Sequence, residues 1–225
     1  GSFGENGDFV WFTTQQTATT ATGATTYSRV FRIDPSTKAM VDCVITGSSG
    51  ATGYIFNAWA AYNGRMIVGE CTNTATGTAN LIPILPTATG AVIDLGLGTL
   101  SFGPPERNIC SLVNFDQTLY VGTGLVTSGA FAHVYQSTIT ATGTWTLTSV
   151  LTGAGGTGAI CNRFTSMVGF KSKLYAAYFN PYDATGVAAI YQSTDGSTGS
   201  WSIVYSSASS GSSVTRVPFF LQQDN

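Results

Sequence analysis

The chain is short of charge. Lys, Arg, Asp and Glu make up 9% of its 225 residues and leave a net charge of −2. An average soluble domain carries roughly 25%. This balance offers no basic field for nucleic acid or for an anionic lipid surface. Histidine occurs once, as His133, and glutamate three times, as Glu5, Glu70 and Glu106. A lone histidine between Ala132 and Val134 supplies no Ser-His-Asp set, and it reads as a packed or surface residue. Close cysteine pairs are missing too. The cysteines stand at 43, 71, 110 and 161, a spacing unlike a zinc pattern. They read as buried free thiols, with a Cys110–Cys161 bridge as the alternative. No run approaches the roughly 18 apolar residues of a membrane span. No secretory leader is expected in the first residues, which leaves export open. Helical periodicity appears nowhere. The expectation is therefore no metal, no cofactor, no nucleic acid and no membrane insertion.

What the chain does have is apolar residues in short, repeated phrases. Hydrophobic residues reach 43% and aromatics 12%, which excludes disorder. Thr, Ser, Gly and Ala fill much of the rest, a composition suited to an extracellular protein or a virion surface. Phe9-Val10-Trp11-Phe12, Met66-Ile67-Val68-Gly69, Leu119-Tyr120-Val121-Gly122 and Leu174-Tyr175-Ala176-Ala177 begin at 9, 66, 119 and 174, spaced by 57, 53 and 55 residues. Short strands and turns at such a period are the signature of a propeller.

The expected fold is all-β: a β-propeller with four blades of four antiparallel strands. Blade 2 covers 54–98, blade 3 covers 107–151 and blade 4 covers 162–207. Blade 1 combines 8–46 with a C-terminal strand in 213–222. An apolar edge such as Val214–Gln222 should not stay unpaired, so the ring is expected to close by pairing it with the N-terminal blade. A piece of a larger propeller, or two chains forming one ring, are the alternatives.

Two hairpins carry a family resemblance. Tyr191-Gln192-Ser193-Thr194-Asp195-Gly196 leads to Gly199-Ser200-Trp201, and Tyr135-Gln136-Ser137-Thr138 leads to Gly143-Thr144-Trp145. The first resembles the Asp-box turn of sialidase-like propellers, with one extra residue before Trp201. The second has Ile139 in place of the Asp. The resemblance implies a structural turn remote from any active site, and it says little about function.

Candidate site residues follow from the expected channel mouth. Arg107, Arg163 and Arg216 stand near the starts of inner strands, and Glu106 is the one glutamate beside them. Tyr54, Asn162 and Tyr182 complete the set. Glycoside hydrolysis normally uses two carboxylates, and no second one accompanies Glu106, so no catalytic residue is assigned. The segments Gln15–Thr26, Asn73–Ala79 and Pro181–Gly186 read as long, nearly uncharged loops on one face, fit to present a binding surface. Trp11, Trp59, Trp145 and Trp201 read as packing between blades. The expected function is non-catalytic recognition of a glycan or a protein receptor. A glycan-cleaving enzyme and a self-associating structural subunit are the alternatives.

Overall fold

The computed structural model describes residues 3–6, 9–20, 23–43, 54–72, 79–87, 90–93, 100–102, 106–125, 131–139, 144–153, 162–180 and 187–207. These residues form antiparallel strands joined mostly as meanders. The first group is β1 (Phe3–Asn6), β2 (Phe9–Thr20), β3 (Gly23–Ile33) and β4 (Met40–Cys43). The second is β5 (Tyr54–Tyr62), β6 (Arg65–Thr72), β7 (Ala79–Thr87), β8 (Gly90–Ile93) and β9 (Leu100–Phe102). The third is β10 (Glu106–Phe115), β11 (Thr118–Leu125), β12 (His133–Ile139) and β13 (Trp145–Thr152). The fourth is β14 (Arg163–Phe170), β15 (Lys173–Asn180), β16 (Val187–Ser193) and β17 (Ser202–Ser206).

The expected closed four-blade propeller is not formed. The first four strands make a sheet of their own in the order β1-β2-β3-β4. β1 takes the edge of β2 that the C-terminal strand was expected to fill, pairing Phe3 with Phe12 and Asn6 with Phe9. The remaining strands join into a second sheet of 13. Its largest barrel-like portion is an open half-barrel of 7 strands. The physical reason is proximity. A two-residue connection brings β1 onto β2 at little entropic cost, whereas the expected pairing joins segments roughly 200 residues apart. Val214–Gln222 lies outside the described residues. A second correction concerns Gln15–Thr26. Much of it belongs to β2 and β3, whose register runs from Val10 opposite Ile33 out to Thr20 opposite Gly23.

Three of the hairpins turn in two residues, both with positive φ: Asn63-Gly64, Asp116-Gln117 and Lys171-Ser172. That is the backbone signature of the type I′ turn, whose twist matches that of the strands it joins. Only the first has the favoured Asn-Gly sequence.

The repeated phrase has a packing reason. A Cβ on Gly69 would meet Ile109 Cγ2 at 2.5 Å, and one on Gly122 would collide with Ser111 Oγ and approach Phe164 Cβ to 3.0 Å. The opening strand of the next group therefore crosses at backbone distance. Asn114 Nδ2 donates to Ala61 O at 3.1 Å and Ser111 Oγ donates to Phe164 O at 3.0 Å, which ties successive groups together. Single ladder pairs, Asn108 with Cys71 and Gly124 with Arg163, complete the links.

Apolar layers fill the spaces between groups. Trp59, Met66, Val68, Ile82 and Ile84 pack with Phe9 and Val41 of the first group. Ile67, Leu81, Ile109, Leu119 and Val121 form the next layer, with Trp145 against it. Tyr120, Phe164, Leu174, Tyr178 and Tyr191 form the third, with Trp201 against it. Among the described residues no such cluster joins the fourth group to the first. The side chain of Trp11 lies outside the described residues.

The β16–β17 turn is a local hydrogen-bonded unit. Asp195 Oδ1 accepts from Ser197 N at 2.9 Å, and Ser193 Oγ accepts from Gly196 N at 2.7 Å. Gly196 has φ 72°, and its Cα faces the Tyr120 ring, where no side chain fits. Tyr120 donates its hydroxyl to Asp195 O at 3.0 Å.

Candidate functional site

One buried carboxylate gathers side chains from three strands. β10 has a register shift at Arg107: Glu106 stands opposite Leu125 and Asn108 opposite Gly124. This bulge places Glu106 on the β11 face shared by Leu125 and Thr123. Glu106 is only 8% exposed. A carboxylate that far from water needs donors, and it has them. Thr123 Oγ1 donates to Oε1 at 2.8 Å, His133 Nδ1 meets Oε1 at 2.6 Å, and the Tyr135 hydroxyl donates to Oε2 at 2.5 Å. Burial pushes the Tyr135 phenol up, and the hydrogen bond and charge of Glu106 push it further, so it stays a neutral donor.

The short contact sets the imidazole. A carboxylate accepts, so Nδ1 is the donor of this pair. The His133 side chain is 26% exposed. Its ring lies 5.5 Å from that of Tyr135, tilted by 50°. Phe102 meets Tyr135 edge-on at 5.7 Å from the buried side.

The backbone under this row is held on both sides. Ala132 and Val134 are fully buried in the third apolar layer. Phe131, His133 and Tyr135 therefore share the opposite face by strand alternation, and Phe131 is 46% exposed. Ala132 N donates to Asn162 Oδ1 at 3.1 Å, and Ala132 O accepts from Gly153 N at 2.8 Å. His133 N donates to Thr123 Oγ1 at 3.0 Å. Ala132 and His133, which precede and open β12, are thus both held by backbone hydrogen bonds.

The sequence candidates divide accordingly. Glu106 and Asn162 come to the same end of the third group, one holding the imidazole and the other holding the backbone beside it. Arg163 sits elsewhere. A Cβ on Gly124 would lie 2.9 Å from Arg163 Cβ and 2.7 Å from Cys110 Sγ, so Arg163 flanks the β11 face opposite Thr123 and Glu106. Cys110 is a free thiol. Tyr54 opens β5 and Arg107 forms the β10 bulge, but their side chains lie outside the described residues. Tyr182, Arg216 and Cys161 fall outside them altogether, as do the loop segments 73–78 and 181–186.

Sequence reasoning missed Phe131, Thr123 and Tyr135, and it read His133 as an isolated packed or surface residue. The available signal was the alternation of aromatic rings at 131, 133 and 135 around two small apolar residues.

The other buried glutamate does not join this cluster. Glu70 alternates with Met66 and Val68 of the first apolar layer and accepts from Asn80 Nδ2 at 2.5 Å. Burial raises its pKa from 4.5 to about 7, against the effect of the Asn80 hydrogen bond. Glu106 and Glu70 thus occupy different layers and do not form the paired carboxylates of glycoside hydrolysis. Among the described residues, no three of His, Cys, Asp and Glu come together as metal ligands. Among them, too, no helix is long and apolar enough to cross a membrane. No protein-family model and no curated protein matches the chain.

Proposed function

We propose that the chain is a non-catalytic recognition module of an extracellular protein or a virion surface, and that its partner is a glycan. The observation that supports this reading is the exposed Phe131 and the half-buried His133, joined by a backbone that Asn162, Gly153 and Thr123 pin. Recognition gains from surfaces that lose little freedom on binding. The chemistry around Glu106 favours presentation over turnover. Its oxygens already accept from Thr123, His133 and Tyr135, and among the described residues no second carboxylate joins it.

The test is a binding screen of the full chain against immobilised glycans and cell-surface proteins, with a parallel screen for glycoside hydrolysis. Saturable glycan binding without release of sugar supports the proposal. Measurable hydrolysis, or binding to protein receptors alone, overturns it.

A further inference from the structure

Three buried side chains stand apart from the apolar layers. Ala177, Phe179 and Ala188 are 0%, 5% and 2% exposed. Among the described residues they are the buried apolar ones that belong to none of the three layers. They share one face. On β15, Leu174, Ala176 and Tyr178 point into the third layer, and Ala177 and Phe179 alternate with them. On β16, Ala189 and Tyr191 point into that layer too, and Ala188, paired with Phe179, takes the other face. This is the outer face of the fourth group, turned away from the third. Strand neighbours shield a side chain only from the sides. A phenylalanine on a sheet face reaches 5% exposure when a further layer of chain lies over it. The cover ends part-way along: Phe170, paired with Lys173 at the far end of the same face, is 54% exposed.

The chain itself leads onto this face. Ser207 is 1% exposed, and its Oγ accepts from Ala188 N at 2.9 Å. Beyond it come Ala208–Ser213, all small and uncharged, and then Val214-Thr215-Arg216-Val217-Pro218-Phe219-Phe220-Leu221. Six residues of connection span up to about 20 Å. That is enough to cross from β17 over β16 and β15 to β14, at about 4.8 Å per strand.

We propose that Val214–Leu221 is the cover: an apolar strap that the chain lays across its own fourth group, over Ala177, Phe179 and Ala188. The length, departure point and composition of this segment fit the seat. Residues 154–161 and 181–186 also adjoin the group outside the described residues, but they bring one large apolar side chain each, Ile160 and Tyr182. The strap brings Val214, Val217, Phe219, Phe220 and Leu221. Its seat is not the edge of β2, which β1 occupies. The strap is independent of the glycan-recognition reading. The last unit of a repeat array needs a polar or covered outer face, and an uncovered apolar one invites association.

The experiment is limited trypsin digestion of the full chain under native conditions, because Arg216 is the one cleavage site after Ser207. Mass spectrometry reads the release of residues 217–225, and hydrogen exchange over 176–189 reads the seat. Arg216 should resist cleavage in the wild type. Ala188→Asp, which puts a charge under the strap, should speed cleavage at least about 10-fold. Phe219→Ser combined with Phe220→Ser alters the strap alone. It should speed cleavage as well, and raise exchange over 176–189 while leaving β6 and β7 unchanged. This pair keeps the test decisive if circular dichroism shows Ala188→Asp to be unfolded. Cleavage as fast in the wild type as in the variants overturns the strap. Exchange over 176–189 that ignores the Phe219 and Phe220 substitutions also overturns it, and assigns the cover to 154–161 or 181–186. Protection found only in a dimer by sedimentation velocity overturns it in favour of a second copy.

Discussion

Replacing Glu70 by Gln tests the reading of the buried layers through pH. Glu70 is 2% exposed and its charge is met by Asn80 Nδ2 at 2.5 Å. Burial lifts its pKa from 4.5 to about 7. A carboxyl that holds its proton more tightly folded than unfolded costs nothing below the unfolded value. Its cost grows as pH rises from about 4.5 to about 7 and is level above that. The full shift corresponds to about 3 kcal/mol. Gln keeps the volume and the oxygen facing Asn80 but has no charge to bury. Wild type and Glu70→Gln should be nearly equally stable at pH 4.5, and the variant about 2–3 kcal/mol more stable near pH 8. Asp34 and Asp195, held near 2 by local hydrogen bonds, lose their contributions only in more acid solution, and equally in both proteins. Urea unfolding followed by tryptophan fluorescence at the two pH values reads the difference. An equal offset between variant and wild type at both would refute the buried, proton-holding carboxyl.

Four further outcomes are expected. Ser172→Gly and Gln117→Gly should each raise stability by roughly 0.5–1 kcal/mol, because both residues hold positive φ at no benefit to their side chains; thermal melts check this. Gly122→Val should destabilise by about 1–3 kcal/mol or more, since its new atoms meet Ser111 and Phe164, again read by denaturant midpoint. Glu106→Ala should cost about 2–4 kcal/mol by stripping the acceptor from three donors, while Glu106→Gln costs less. Ile203, Val204 and Tyr205 are 55%, 52% and 43% exposed on uncharged β17, which ends its sheet among the described residues, and this predicts concentration-dependent self-association. Val204→Lys should reduce it in sedimentation velocity without altering the melt.

Strand positions were legible because each strand advertises itself locally. The four repeated phrases at 9–12, 66–69, 119–122 and 174–177 fall within β2, β6, β11 and β15. Their β-branched and aromatic residues stand between turn-forming ones, and that information is short-range. The assembly of strands was not legible. Nothing in Phe3–Asn6 marks those residues as the partner of β2, because four residues are too few to show a period. Gln15–Thr20 looked like a loop because threonine and glutamine give no apolar alternation, yet cross-strand pairing with Gly23–Ser28 extends the hairpin. The repeat was visible, but not whether it closes on itself. Closure depends on contacts between distant segments, whose register leaves no trace in a single sequence.

The site divides the same way. Glu106 and Asn162 drew notice for their position near strand starts, and both support the row. Their partners are 27 and 30 residues away, respectively, on a strand that sequence alone does not place beside them. The arginines drew notice for their charge, and Arg163 flanks the other face of β11.

The most direct test of the account is the hydrogen bond between His133 Nδ1 and Glu106 in the free protein, read from the ring nitrogen resonances. The account predicts a proton on Nδ1 bonded to Glu106, and loss of that bond in Glu106→Ala. An Nδ1 without a proton in the wild type, or ring signals that ignore the substitution, would contradict it.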